Sequence, residues 1–88
     1  MASTYVNKNG WNIRIEPYPG DTWVTDSCSG EFVARFKYGR PTLSAKHFVK
    51  FLIANFTPTE YFAERAKGTD PMTILQSKGY VDYNTKYR

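Results

Sequence analysis

The dipeptide Asn9-Gly10 constrains this chain more than any other pair of residues. Asn-Gly readily takes the positive φ angles of a type I′ turn, whose twist matches that of two paired strands. Counting outward from it pairs Lys8 with Trp11, Val6 with Ile13 and Thr4 with Ile15. Side chains alternate along a strand, so Trp11, Ile13 and Ile15 share a face with Val6. Asn12, Arg14 and Glu16 take the other face. A hairpin with one apolar face needs a cover.

Further strands follow. In Pro17-Tyr18-Pro19-Gly20-Asp21 a proline that cannot donate to a ladder and a turn-forming glycine are expected to end the second strand. Thr22-Trp23-Val24-Thr25 is β-branched and aromatic and reads as a third strand. After the turn-formers of residues 26–30, residues 31–38 alternate. Phe32, Ala34, Phe36 and Tyr38 are expected inward, and Glu31, Val33, Arg35 and Lys37 outward. Gly39-Arg40-Pro41 stops the pattern. The expectation is an α+β fold that begins with an antiparallel β-meander of three or four strands.

Beyond Pro41 the period becomes helical. A helix over about residues 44–56, capped by Thr42 or Ser44, is apolar over most of its circumference and leaves a narrow polar strip of Lys46, His47 and Lys50. It should cover the sheet, with Phe36, Phe48, Leu52 and Phe56 at the centre of the core. Thr57-Pro58-Thr59-Glu60 combines a capping threonine, a proline at the first helical position and a capping-box glutamate. That helix runs to Lys67, with Gly68 as its left-handed stop. Asp70-Pro71 starts a third, short helix ending at Lys78-Gly79, after which Tyr80 and Val81 dock. Residues 1–81 thus form a single domain and residues 82–88 a loose tail.

At 88 residues, the chain holds 6 Phe, 7 Tyr and 2 Trp. Each buries about 150–250 Å², so a few of them fill a small core. Cys28 stands alone and argues for a reducing, cytoplasmic setting. One Cys and one His do not make a zinc site, and no cofactor motif is present. There is no signal-peptide pattern, and the longest apolar stretch, within residues 48–56, is far short of the roughly 20 residues of a membrane span.

Catalysis finds little support. His47, the one histidine, lies beside two lysines with no nucleophile–base–orienter set nearby in sequence. Cys28 has Asp26 and Glu31 as its nearest charges, the opposite of the electropositive setting a reactive thiol needs. Glu60 and Glu64 have Arg65 and Lys67 close by and read as solvated charge. The expectation is a protein that is not an enzyme.

Charge distribution is more informative than the net charge of +4. Residues 32–59 contain no Asp or Glu but include Arg35, Lys37, Arg40, Lys46 and Lys50. A local positive field suits an anionic partner, although a solvated strand–helix junction gives the same pattern. Arg14, Arg35 and Lys37 on the outer sheet face, with Arg40 at its rim and Lys46 and Lys50 on the helix, are therefore the candidate nucleic-acid contacts. Arginines would be aimed at guanine edges and lysines at phosphates. Over residues 10–56, the order of three strands and a helix and the Gly10-Trp11 strand start resemble the AP2-type amino-terminal domains of phage and mobile-element integrases. That resemblance implies a sheet face laid into the DNA major groove. The chain departs from the pattern in the Pro17-to-Gly20 segment and in the helices after Phe56. Glu16 and Glu31, on the same face, would repel phosphate.

The alternative is a protein partner. Small tyrosine-rich domains without chemistry are often accessory or inhibitory proteins of phages and mobile elements, and Tyr and Arg favour interface hot spots. Tyr5, Tyr18 and Tyr38 are the candidate interface residues, with Tyr83 and Tyr87 in the tail. The uncovered strand Thr4–Lys8 could also pair with a second copy to give a homodimer.

Overall fold

A computed structural model describes residues 3–37 and 41–81, with residues 37 and 41–44 described by their backbone alone. The strands β1 (Thr4–Lys8), β2 (Trp11–Tyr18), β3 (Asp21–Asp26) and β4 (Phe32–Lys37) are followed by the helices α1 (Pro41–Asn55), α2 (Pro58–Ala66) and α3 (Pro71–Gln76). The strands form one antiparallel sheet in the order β1-β2-β3-β4. This is the expected α+β meander. The tail expected at 82–88 lies outside the described residues, as do Tyr38, Arg40, Tyr83 and Tyr87. Among the described residues, no helix is long and apolar enough to cross a membrane.

The first hairpin follows the turn. Asn9 and Gly10 have φ of 52° and 82°, and β1 pairs with β2 through Thr4↔Ile15, Val6↔Ile13 and Lys8↔Trp11. The second strand is longer than expected. Pro17 does not end it, since β2 continues to Tyr18 and turns at Pro19-Gly20 into β3. The physical reason is local. Tyr18 and Asp21 flank a two-residue turn and form the hydrogen-bonded pair, which points the Pro17 nitrogen away from β3. β1 begins opposite Ile15, so among the described residues no strand faces that nitrogen.

β4 corrects the expected alternation. Val24 pairs with Ala34, but Thr25 pairs with Phe32, so Val33 is an extra residue in a β-bulge. The bulge inverts the facing of the strand start. Val33 and Ala34 are both buried, while Phe32, expected in the core, is turned outward and is 38% exposed.

Helix α1 starts at Pro41, three residues before the expected position, and proline at a first helical turn loses no bond. It packs on the inner sheet face against β2, β3 and β4. Phe48, fully buried, meets Phe36 edge-on at 5.3 Å. Leu52 and Phe56 are buried beside them, as expected. Hydrogen bonds tie the helical part to the sheet. Trp11 Nε1 donates to the Phe56 carbonyl at 2.8 Å, just past the end of α1. Tyr61 on α2 donates its hydroxyl to the Val33 carbonyl. The α2 start forms its capping box, with Glu60 N donating to Thr57 Oγ1 at 3.2 Å and Thr57 N to Glu60 Oε1 at 2.9 Å. Asp70 caps α3 with its side chain alone, whose Oδ2 accepts from the Met72 and Thr73 amides at 3.0 and 3.4 Å. Tyr80 docks against Phe48 and Phe51, but Val81 does not: it is 62% exposed.

Candidate functional site

With α1 covering the inner face, the outer sheet face stays open. Strict alternation from Trp11 places Arg14, Glu16 and Tyr18 on it from β2. β1 contributes Tyr5 opposite Arg14. β3 contributes Asp21, Trp23 and Thr25, and β4 contributes Arg35 opposite Trp23 and, through the bulge, Phe32 opposite Thr25.

The large apolar rings on this face are uncovered. Tyr5 is 58%, Tyr18 46%, Trp23 38% and Phe32 38% exposed. Three of them form a diagonal row across β2, β3 and β4. Tyr18 meets Trp23 edge-on at 6.0 Å, and Trp23 meets Phe32 edge-on at 6.0 Å. Isolated apolar residues on a surface are ordinary, whereas a contiguous aromatic row usually marks a contact site.

The arginines of the face are already engaged. Arg14 Nη2 lies 2.7 Å from Glu16 Oε2, and the Tyr18 hydroxyl donates to the same oxygen at 3.1 Å. That hydrogen bond to Glu16 raises the Tyr18 pKa above its ordinary value. Arg35 Nη2 lies 2.9 Å from Asp21 Oδ2, its Nε donates to Asp21 Oδ1 and Oδ2 at 3.2 and 3.0 Å, and its guanidinium sits 5.5 Å from the Trp23 ring centroid. Trp23 Nε1 also donates to Asp21 Oδ2 at 2.8 Å. Exposed pairs of this kind contribute little to stability. Their consequence is electrostatic and positional: two cations are matched by two carboxylates, and the rings beside them are held in place. A hollow of about 340 Å³ opens here among Arg14, Glu16, Tyr18, Trp23, Thr25 and Ser27.

The six expected nucleic-acid contacts do not fall on one surface. Arg14 and Arg35 lie on the outer face. Lys46 and Lys50 are exposed on α1, which packs on the opposite side of the sheet. Lys37 ends β4, its side chain outside the described residues, and Arg40 is outside them altogether. Among the interface candidates, Tyr5 and Tyr18 are on the outer face, as expected; Tyr38 lies outside the described residues. Glu16 takes its expected side, while Glu31 precedes β4 rather than lying in it. The sequence reading did not single out Asp21, Trp23 or Phe32. Trp23 and Asp21 were legible from alternation about Thr22 and Val24. Phe32 was not, because the bulge reverses it.

Elsewhere, His47 is exposed on α1 with its ring 5.3 Å from that of Tyr80. Cys28 is an exposed free thiol in the loop where Asp26 Oδ1 accepts from the Cys28 and Ser29 amides at 2.8 and 3.0 Å. Among the described residues, no group of three His, Cys, Asp or Glu side chains could hold a metal ion. The chain matches no family model, no curated protein and no solved structure.

Proposed function

We propose that this domain is a non-catalytic binding module whose outer sheet face docks onto another protein. One observation carries the reading: Tyr5, Tyr18, Trp23 and Phe32 are exposed together on a face whose two arginines are matched by Glu16 and Asp21. Tyr, Trp and Arg are the residues that dominate interface energies, and rigid aromatic rings lose little entropy on docking. The single exposed thiol suits an intracellular setting.

A second reading keeps nucleic acid as the partner. The same rings offer stacking platforms for bases, and the net charge is +4. The charge balance on the face weighs against it, since phosphate binding draws on unmatched cations.

The test compares the wild-type chain with a Trp23→Ala, Phe32→Ser double variant of equal melting temperature in affinity capture. A protein retained by the wild type, identified and then bound again in purified form, should be lost with the variant. Equal binding of that protein to both chains overturns the reading. So does recovery of nucleic acid in its place, seen in the absorbance ratio before and after a high-salt wash.

A further inference from the structure

On the side of the sheet away from these rings, β1 and α1 border an open groove of about 530 Å³. Val6, Ile15, Val49 and Ile53 form its apolar lining, and Lys8, Lys46 and Lys50 border it. Among the described residues, no Asp or Glu lines it. All three lysines are exposed, and none is in an ion pair among the described residues. Lys46 and Lys50 are one helical turn apart and so project from the same side of α1.

The groove runs beside a sheet edge. Among the described residues, β1 pairs with β2 alone. Lys8 and Trp11 flank the two-residue turn and are therefore a hydrogen-bonded pair, and such pairs alternate with open ones along the ladder. The amides and carbonyls of Thr4, Val6 and Lys8 are thus directed at β2. Those of Tyr5 and Asn7 point out of the edge, where a further strand would pair. The pleat places Val6 and Lys8 on the groove side.

We propose that β1 is a docking edge for an extended peptide that carries apolar and acidic residues together on one face, at every second position. Such a peptide would add to the sheet as a strand bonded to Tyr5 and Asn7. Its apolar side chains enter the groove, and its carboxylates meet Lys8, Lys46 and Lys50. This site is separate from the outer face and does not rest on the reading given for it. Charge selects the occupant. A second copy of this chain pairing through β1 would add another Lys8 to a border that is already positive, and like charges in such a contact oppose it. A fatty acid would fill the groove but leave the edge amides unused.

The probes are a synthetic Val–Glu peptide repeating Val-Ser-Glu-Ser, which puts Val and Glu on one face of a strand, its Val–Lys counterpart repeating Val-Ser-Lys-Ser, and dodecanoate, each added to the whole chain. Anisotropy of the labelled peptides reports binding, and amide hydrogen exchange is read at Tyr5 and Asn7. The Val–Glu peptide should bind and the Val–Lys peptide should not, with exchange at Tyr5 and Asn7 slowed by about ten-fold or more when bound. Lys46→Glu combined with Lys50→Glu should weaken binding by at least about ten-fold while leaving the melting temperature unchanged. Trp23→Ala should leave this binding intact. Equal binding of both peptides, unchanged exchange at Tyr5 and Asn7, or tighter binding of dodecanoate than of the peptide overturns the proposal. Protection of the same two amides by self-association, without peptide, overturns it as well.

Discussion

The Tyr61 hydroxyl on α2 donates to the Val33 carbonyl of the β4 bulge across 28 positions of sequence, at 2.5 Å and out of contact with water. A bulge takes one residue out of the regular ladder, and a buried carbonyl left without a donor costs about 1–3 kcal/mol. Tyr61 is fully buried, and burial raises the pKa of its hydroxyl, which favours the protonated form that donates. The ring also packs edge-on against Trp11 at 5.8 Å, so one side chain joins α2 to both β2 and β4.

Tyr61→Phe should therefore destabilise the domain by about 1–3 kcal/mol in chemical denaturation, because the ring stays while the donor goes. A change of only a few tenths of a kcal/mol would show that the Val33 carbonyl finds another donor.

The core should respond to truncation at α1. Phe48→Ala or Leu52→Ala removes a side chain with no exposed surface and should cost about 2–5 kcal/mol. That is a large share of the stability of a domain this small. Either variant melting within a degree or two of the wild type would contradict the packing of α1 on the sheet.

At the start of α2, Thr57→Ala removes the oxygen that caps the Glu60 amide and should cost about 1 kcal/mol. Glu60 adds a pH dependence. The Thr57 amide and hydroxyl, with a smaller contribution from Lys78, hold its carboxyl below the ordinary value of 4.5. A folded-state pKa lower than the unfolded one means stability that is present above about pH 4.5 and lost as pH falls through the folded value. Thermal melts from neutral to acid pH should show a steeper loss for the wild type than for Glu60→Gln. Parallel curves would remove the charge from the account.

The outer-face rings should matter little for folding. Trp23→Ala should shift stability by well under the cost of a core truncation, since the ring is 38% exposed and its partners Asp21 and Arg35 remain paired. A melt showing a loss comparable to Phe48→Ala would make Trp23 a structural residue rather than a contact.

For nucleic acid, the double change Arg35→Ala and Lys37→Ala separates the two readings of the face. With a protein partner, binding to duplex or single-stranded DNA should be weak, indifferent to sequence and lost at moderate salt. A log–log salt slope that falls by about 1 for each removed contact would instead establish phosphate recognition.

What could be read from sequence alone was local. Asn9-Gly10 set the first hairpin and its register, because a two-residue turn admits few backbone geometries. Thr57-Pro58-Thr59-Glu60 and Asp70-Pro71 set two helix starts, because their capping bonds lie within a few residues. Alternation from Trp11 placed Arg14 and Glu16 on the outer face in the same way. Tertiary structure decided what depends on partners distant in the chain. The register of β4 against β3 slips at Val33, where two hydrophobic residues are buried in succession and a hydroxyl from α2 satisfies the freed carbonyl. That slip turned Phe32 outward and completed the aromatic row. Arg35 was legible as a cation, but its neutralisation was not, since Asp21 lies 14 positions away and meets it only across the paired strands. The groove beside β1 arises in the same way, from helix and hairpin residues that become neighbours only when α1 lies across the sheet.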